Sequence, residues 1–273
     1  MKVKLLVLDL DGTLLKSHNK LHPKNIEAVK LANKEGIKVI IATGRSPQST
    51  YKFANELEIY ENSQHIICYN GGYVVNLKTG EVIINKELLL ETIKQLIILC
   101  KKYKVAFWGY AVDEKVGYIY KKTFWIWIIQ KISKRKLVKV NEDSQIRVYK
   151  LLLFAKKSRI NKLVKVLEEL NLGEIAIIPR RLKSIIEFTP INVNKANAVK
   201  KLAEMWNISR EEVMAIGDSM NDYKLIEWAG YGIAMKNSDN DLLKVATDIT
   251  CSYKHAGVSE VIHKYILDDV NSK

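Results

Sequence analysis

The chain has 273 residues, 48% of them apolar, and a formal net charge of +14, so it can bury a proper core and is expected to form one large or two unequal domains. Its three cysteines, Cys68, Cys100 and Cys251, are odd in number and far apart, which excludes a disulfide framework or a zinc site and suits a reducing compartment. No apolar run reaches the roughly 18 residues of a membrane span; Asp9 and Asp11 interrupt the N-terminal run and no small-residue cleavage site follows, so a signal peptide is not expected and a cytoplasmic location is.

The first element, Val3 to Leu8, is an apolar run without turn residues and reads as a strand buried on both faces of a parallel sheet. It ends in Asp9-Leu10-Asp11-Gly12-Thr13. Residues i and i+2 of a strand project to one side, so Asp9 and Asp11 are expected to point together into one crevice, with Gly12 allowing a sharp turn. Like charges that close need a cation or a shared proton. A strand followed by an ordinary Asp-Gly turn is the plainer alternative, and this stretch alone does not decide between them. Ser17 to Leu21 reads as a loop and Pro23 to Lys34 as a helix stopped by Gly36. A second buried strand, Ile37 to Ala42, runs into Thr43-Gly44-Arg45; a helix follows to about Leu57. A third strand, His65 to Tyr69, ends in Asn70-Gly71-Gly72. Strands and helices alternating with short links predict a doubly wound parallel sheet, whose ligands bind at the carboxyl ends of the strands.

The pattern then changes. Tyr73 to Val75 and Glu81 to Ile84 read as a hairpin, Leu88 to Tyr103 as a helix, and Val105 to Tyr110 and Val116 to Tyr120 as paired strands. Phe124 to Ile129, an apolar run followed by Lys131, Lys134, Arg135 and Lys136, reads as a helix of this region or a substrate-facing wall in preference to a membrane-surface segment or partner site. A strand (Val148 to Ala155), a helix (Ser158 to Leu170) and two strands (Ile175 to Pro179, Ser184 to Thr189) complete an α+β insert with an antiparallel sheet. Between Val82 and Glu187 there are 23 Lys+Arg against 10 Asp+Glu, while the rest of the chain is nearly balanced at 21 against 20. Such a field would attract nucleic acid, a membrane surface or a phosphorylated small molecule, and a solvated lysine-rich surface is the plainer reading. From Pro190 the first style returns, with a helix Lys195 to Trp206, a strand Val213 to Ile216 ending in Gly217-Asp218-Ser219-Met220-Asn221-Asp222, a helix to about Ala229, a strand Tyr231 to Ala234 and a closing helix Val258 to Leu267. The predicted fold is therefore α/β, a Rossmann-like core of residues 1–81 and 188–273 with an α+β domain of residues 82–187 inserted.

Asp9/Asp11, Thr43, Lys195 and Asp218/Asp222 thus stand at strand carboxyl ends or a helix start. The i, i+4 spacing of Asp218 and Asp222 at the start of a helix places both carboxylates on one face. Carboxylates converging with a lysine and a hydroxyl call for a hard divalent cation with oxygen ligands, as magnesium is. Individually each has a plainer reading, Asp218 as a helix cap and Lys195 as a surface lysine; jointly they do not. The five histidines form no cluster and receive no role.

In order and spacing these motifs resemble the haloacid dehalogenase-like superfamily, specifically its Cof-type phosphatases with a C2-type cap. Asp9-Leu10-Asp11-Gly12-Thr13, Thr43, Lys195 and Gly217 to Asp222 match the four motifs, with Asn70-Gly71-Gly72, Ile186 to Pro190 and Ala234 to Asn237 in support. The 34 positions from Asp9 to Thr43 hold one βα unit, whereas the 152 from Thr43 to Lys195 hold the insert as well, which puts the cap between motifs two and three. The resemblance implies that Asp9 attacks phosphorus to form an aspartyl-phosphate and that Asp11 is general acid and base. It implies phosphate binding by Thr43, Gly44, Lys195 and Asn221, a magnesium shell of Asp9, the Asp11 carbonyl, Asp218 and, directly or through water, Asp222, and contact of Arg45 with substrate or cap. The expected activity is Mg2+-dependent hydrolysis of small phosphorylated metabolites (sugar phosphate, phosphoglycolate or nucleotide-like phosphomonoesters), with the cap setting specificity. The expected partner is that metabolite, with no membrane, nucleic acid disfavoured, and a monomer or homodimer. A phosphomutase-like or sugar-phosphate-synthesis-linked phosphatase is the nearby alternative; a nucleic-acid-binding protein using the basic insert is the alternative of another class. Two departures are visible: Ala196 follows Lys195 where the family often has glycine, and Lys254 to Val258 lacks the acidic residues common there.

Overall fold

Strand Leu5–Leu8 is buried at all four positions, as a strand at the middle of a covered parallel sheet must be. In the computed structural model, which describes residues 3–17, 19–113, 115–170, 175–179 and 185–267, that sheet has eight strands. Across it run Asp248–Thr250, Tyr231–Met235, Val213–Gly217, Leu5–Leu8, Lys38–Ala42, His65–Cys68, Tyr73–Asn76 and Val82–Asn85. The first six are parallel and the last two form an antiparallel hairpin on the edge. Leu8 is in register with Ile216 on one side and Ile41 on the other, so Asp9, Thr43 and Asp218 leave three adjacent strands at the same edge. Leu5, Val7, Ile40 and Ala42 pack with Val199 and Leu202 of helix Lys195–Met205 and with Leu225 and Ile226 of helix Tyr223–Trp228.

The chain separates into two compact units, Met1–Asn85 with Asn194–Lys273, and Lys86–Val193. These limits follow the strand pairing. Val82–Asn85 hydrogen-bonds to Tyr73–Asn76 and so completes the large sheet, whereas Ile185–Pro190 pairs along its length inside the second unit. The stretch read as a loop after the first strand carries a small antiparallel pair, Leu15–Ser17 with Lys20–Leu21, whose turn uses Asn19 at φ 64°. His18 and Ser184 lie outside the described residues.

The second unit holds a six-stranded sheet in the order Lys136–Lys139, Val116–Ile119, Ala106–Ala111, Val148–Phe154, Ile185–Pro190 and Ile175–Pro179. Lys136–Lys139 was not expected as a strand, and it runs parallel to Val116–Ile119, so the sheet is mixed at that edge and antiparallel elsewhere. Helices Leu90–Lys102 and Lys157–Glu169 bury Ile93, Leu96, Ile97, Ile160 and Leu163 with Phe107, Leu151 and Phe188 of the sheet. A smaller cluster joins Trp108, Leu152 and Phe154 to Ile126 of helix Phe124–Ser133. Most of the region's lysines are solvated, but Lys150 is not: its ammonium pairs with Glu187 at 3.2 Å with both side chains buried.

Candidate active site

The polypeptide leaves the central strand at Leu8, and the pleat that would have set Asp9 and Asp11 side by side ends with it. Asp11 has φ −81° and ψ 112°, and Gly12 turns the chain at φ 86°. The two carboxylates consequently diverge. Asp9 is buried and accepts a hydrogen bond on Oδ1 from Lys195 Nζ at 2.5 Å. Asp11 has a largely exposed side chain and is gripped by both ends of the Arg45 guanidinium, Nε to Oδ2 at 2.8 Å and Nη2 to Oδ1 at 2.6 Å. The Asp11 carboxylate is therefore not part of the buried acidic cluster, which consists of Asp9, Asp218 and Asp222, with one oxygen from each lying within 4.8 Å of the others.

Asp218 and Asp222 come together by a route other than helical spacing. Helix Tyr223–Trp228 begins after both, and Asp222 is its N-cap residue. A turn closed by Asp222 N–H donating to Ser219 O at 2.8 Å folds the side chain back. Asp222 Oδ2 then accepts from the backbone N–H groups of Asp218 and Ser219, each at 3.2 Å. Its other oxygen receives Lys195 Nζ at 2.6 Å. Glycine is required where this folding brings groups close: a Cβ on Gly217 would stand 2.5 Å from Asp222 Cγ, and one on Gly12 would overlap Asp218 Oδ2.

Lys195 opens helix Lys195–Met205, behind Asn194, whose side chain accepts from Asn197 N–H at 2.9 Å. That cap fixes the first turn, and the lysine side chain beside it is fully buried between Asp9 and Asp222. Burial alone would depress the ammonium's pKa, but the two carboxylates outweigh it and raise it, so Lys195 is a fixed cation. Asp9 titrates well above the ordinary carboxylate range, first because of desolvation and then because of Asp222 and Asp218, with Lys195 opposing. Three carboxylates against one ammonium leave excess negative charge in a buried site, a costly arrangement for which a hard cation with oxygen ligands is the natural complement. The donor set therefore fits a divalent cation of the magnesium type.

Thr43 follows strand Lys38–Ala42 and is buried, its Oγ1 accepting from Arg45 N–H at 3.2 Å. Beside it, Tyr69, Asn70 and Gly71 take φ values of 50°, 57° and 102° in succession. This tight turn aims the Asn70 amide at the site: a Cβ on Gly44 would lie 2.9 Å from Asn70 Oδ1, and that oxygen accepts from Asn221 Nδ2 at 3.0 Å. Asn221 Oδ1 in turn accepts from Ser219 Oγ at 2.5 Å. Thr43, Gly44, Asn70 and Asn221 thus form a polar wall linked to the Asp218–Asp222 loop.

Asn70, Asn237 and Asn19 were given no role from sequence. Asn237 donates to Gly12 O at 2.9 Å and to Asp218 Oδ2 at 3.4 Å, and accepts from Tyr253 N–H at 3.1 Å, bracing the first acidic loop against the last. Its place just after strand Tyr231–Met235, at the edge that carries the other site residues, was the available signal. Asn19 accepts from Arg45 Nη1 at 2.9 Å, and nothing in its sequence context marks it. Arg45 thereby keeps both Asp11 and Asn19 in place, and the Asp11 carboxylate raises the guanidinium's pKa against the opposing effect of burial.

The fold and this acidic edge define the class. The chain belongs to the haloacid dehalogenase-like hydrolases, whose family profile matches residues 6–262; within them it is a phosphoric monoester hydrolase. Bacillus subtilis (strain 168) YxeH, which bears a phosphatase name, is 29% identical over 271 residues, covering 97% of this chain and 98% of its own length. YcsE of the same organism, a 5-amino-6-(5-phospho-D-ribitylamino)uracil phosphatase by name, is 28% identical over 268 residues, covering 97% and 96%. A solved haloacid dehalogenase-like hydrolase from Bacteroides thetaiotaomicron superposes with a TM-score of 0.84 at 29% identity, over 96% of this chain and 99% of that one.

Proposed function

We propose that the chain is a Mg2+-dependent phosphatase of small phosphorylated metabolites, working through an aspartyl-phosphate on Asp9. The observation that carries this reading is the joining of Asp9, Asp218, Asp222 and Lys195, from three separate parts of the chain, into one buried cluster at the carboxyl edge of the sheet. Asp9 and Asp218 would hold the cation, with the Asp11 main-chain carbonyl and, directly or through water, Asp222. Bound there, it would offset the carboxylate charge and polarise the phosphoryl oxygens.

The remaining work falls to side chains. An Asp9 oxygen attacks phosphorus, the bond from phosphorus to the leaving oxygen breaks, and the departing alkoxide takes a proton from Asp11. In the second half Asp11 takes a proton from water, the hydroxyl attacks phosphorus, and inorganic phosphate leaves with Asp9 regenerated. Asp11 must exchange its bidentate guanidinium partner for a proton before the first half, and arriving phosphoryl oxygens are the competitor that would draw Arg45 away. Lys195 holds Asp9 in line and offsets charge on the transferring group, while Thr43 and the Gly44 backbone, backed by Asn221, receive its oxygens.

The substrate class rests on the relatives: YcsE's name specifies a phosphorylated ribitylaminouracil, consistent with sugar phosphates or nucleotide-like phosphomonoesters, and the second unit, Lys86–Val193, is proposed as the specificity cap. A cytoplasmic setting suits Cys68, Cys100 and Cys251, which form no disulfide among the described residues. Hydrolysis of p-nitrophenyl phosphate with Mg2+, lost in Asp9→Asn, is the expected result. A wild-type chain without turnover that binds RNA with a steep salt dependence would overturn it in favour of a nucleic-acid-binding protein.

A further inference from the structure

Helix Phe124–Ser133 is apolar over most of its circumference, yet among its described residues only Ile126 is fully buried. Ile126 and Ile129 pack it onto the sheet of the second unit beside Trp108 and Phe154. On the outside, Phe124 is 68% exposed, Trp125 41%, Trp127 49% and Ile132 76%. An all-round apolar helix is normally enclosed, and an exposed aromatic patch of this kind marks a surface that meets something. The rings already form a platform: Phe124 stacks on Trp127 with centroids 6.0 Å apart and meets Trp125 edge to face, while Lys131 lies over Trp127 at 4.3 Å.

Charge selects the occupant. Residues 115–141 contain eight Lys and Arg and no Asp or Glu; Lys122, Lys131, Lys134, Lys136 and Lys139 are exposed around the helix. In a symmetric dimer this patch would face its own copy, setting lysines against lysines with no acidic partner in the segment. An anionic lipid surface supplies both missing complements, negative headgroups for the lysines and an interfacial apolar layer in which Trp and Phe are favoured. We propose that the outer face of helix Phe124–Ser133 with its lysine rim is a docking surface for anionic membranes. The association is peripheral, since no helix of the described residues is long and apolar enough to cross a bilayer, and it departs from the expectation that membranes play no part.

The test is co-sedimentation of the full chain with vesicles of phosphatidylcholine alone or mixed with phosphatidylglycerol. The expected result is pelleting with the mixed vesicles only, a blue shift of tryptophan emission, and release by salt. Trp125→Ser with Trp127→Ser should lower the partition coefficient by about tenfold or more, with the circular dichroism spectrum and melting temperature unchanged. Should that double variant fail to fold, quenching of wild-type emission by brominated phosphatidylglycerol gives the same reading without a substitution. Equal binding to neutral vesicles, no binding at all, binding to RNA that survives loss of the two tryptophans, or a dimer that the two substitutions dissolve would each overturn the proposal.

Discussion

Lys195 makes two demands on its surroundings that can be measured separately. As the counter-ion of Asp9 and Asp222 at 2.5 and 2.6 Å it offsets buried negative charge. Replacing it by methionine should cost about 3–5 kcal/mol of folding stability in the presence of a chelator, because two carboxylates are left buried beside an apolar group. Urea denaturation of Lys195→Met against Lys195→Met with Asp222→Asn checks this: the second substitution should recover part of the loss, and a wild-type midpoint for the single variant would refute the buried-charge account. Gly12 is a second point of tight constraint. Gly12→Ala forces a Cβ into Asp218 Oδ2 at a φ of 86°, which costs roughly 1–2 kcal/mol in backbone conformation alone and displaces a proposed metal ligand. Half-maximal activity should then require a higher Mg2+ concentration; an unchanged Mg2+ midpoint would mean that Asp218 does not hold the ion. At this scale the sequence was legible in residue type and only partly in geometry. Asp9, Lys195, Asp218 and Asp222 converge as read, but strand periodicity misplaced Asp11 because the strand ends one residue before Asp9. Helical spacing likewise gave the right pairing of Asp218 and Asp222 for a reason the turn at Ser219 replaces.

Elements fix where these residues stand. The edge strand Asp248–Thr250 is tied to the C-terminal segment by Asp248, whose Oδ2 accepts from Lys264 Nζ at 2.7 Å and Tyr265 Oη at 2.7 Å. These hydrogen bonds, the lysine's first, lower the Asp248 pKa to about 2 from the ordinary 3.8. A carboxylate with a depressed folded-state pKa contributes its stability above the unfolded-state value and loses it as pH falls through the folded one. Asp248→Asn should accordingly be less stable than wild type above about pH 4 by no more than ~1 kcal/mol, given how exposed the pair is. The two should converge near pH 2. Denaturation at several pH values measures the difference, and a gap independent of pH would show that the ion pair is not its source. Apolar runs of four to six residues with turn signals at both ends were readable in the core. The strand Lys136–Lys139 was not, because its lysines flank a two-residue apolar step on an edge with little burial to enforce a pattern.

For the whole molecule, strand pairing decides which compact unit a segment joins: Val82–Asn85 belongs with the strand it hydrogen-bonds, whatever its composition. The excess positive charge of the second unit was visible from counting, whereas the exposure of Phe124, Trp125 and Trp127 was not, since an apolar run reads alike whether covered or bare. Everything proposed for catalysis depends on one covalent event at Asp9. Rapid quenching of the Mg2+-loaded enzyme during turnover, followed by mass spectrometry of its peptides, tests this directly. The account predicts a phosphoryl group on the peptide containing Asp9, discharged by water and absent in Asp9→Asn. Full turnover with no phosphorylated peptide, or a phosphoryl group borne by any other residue, would contradict it.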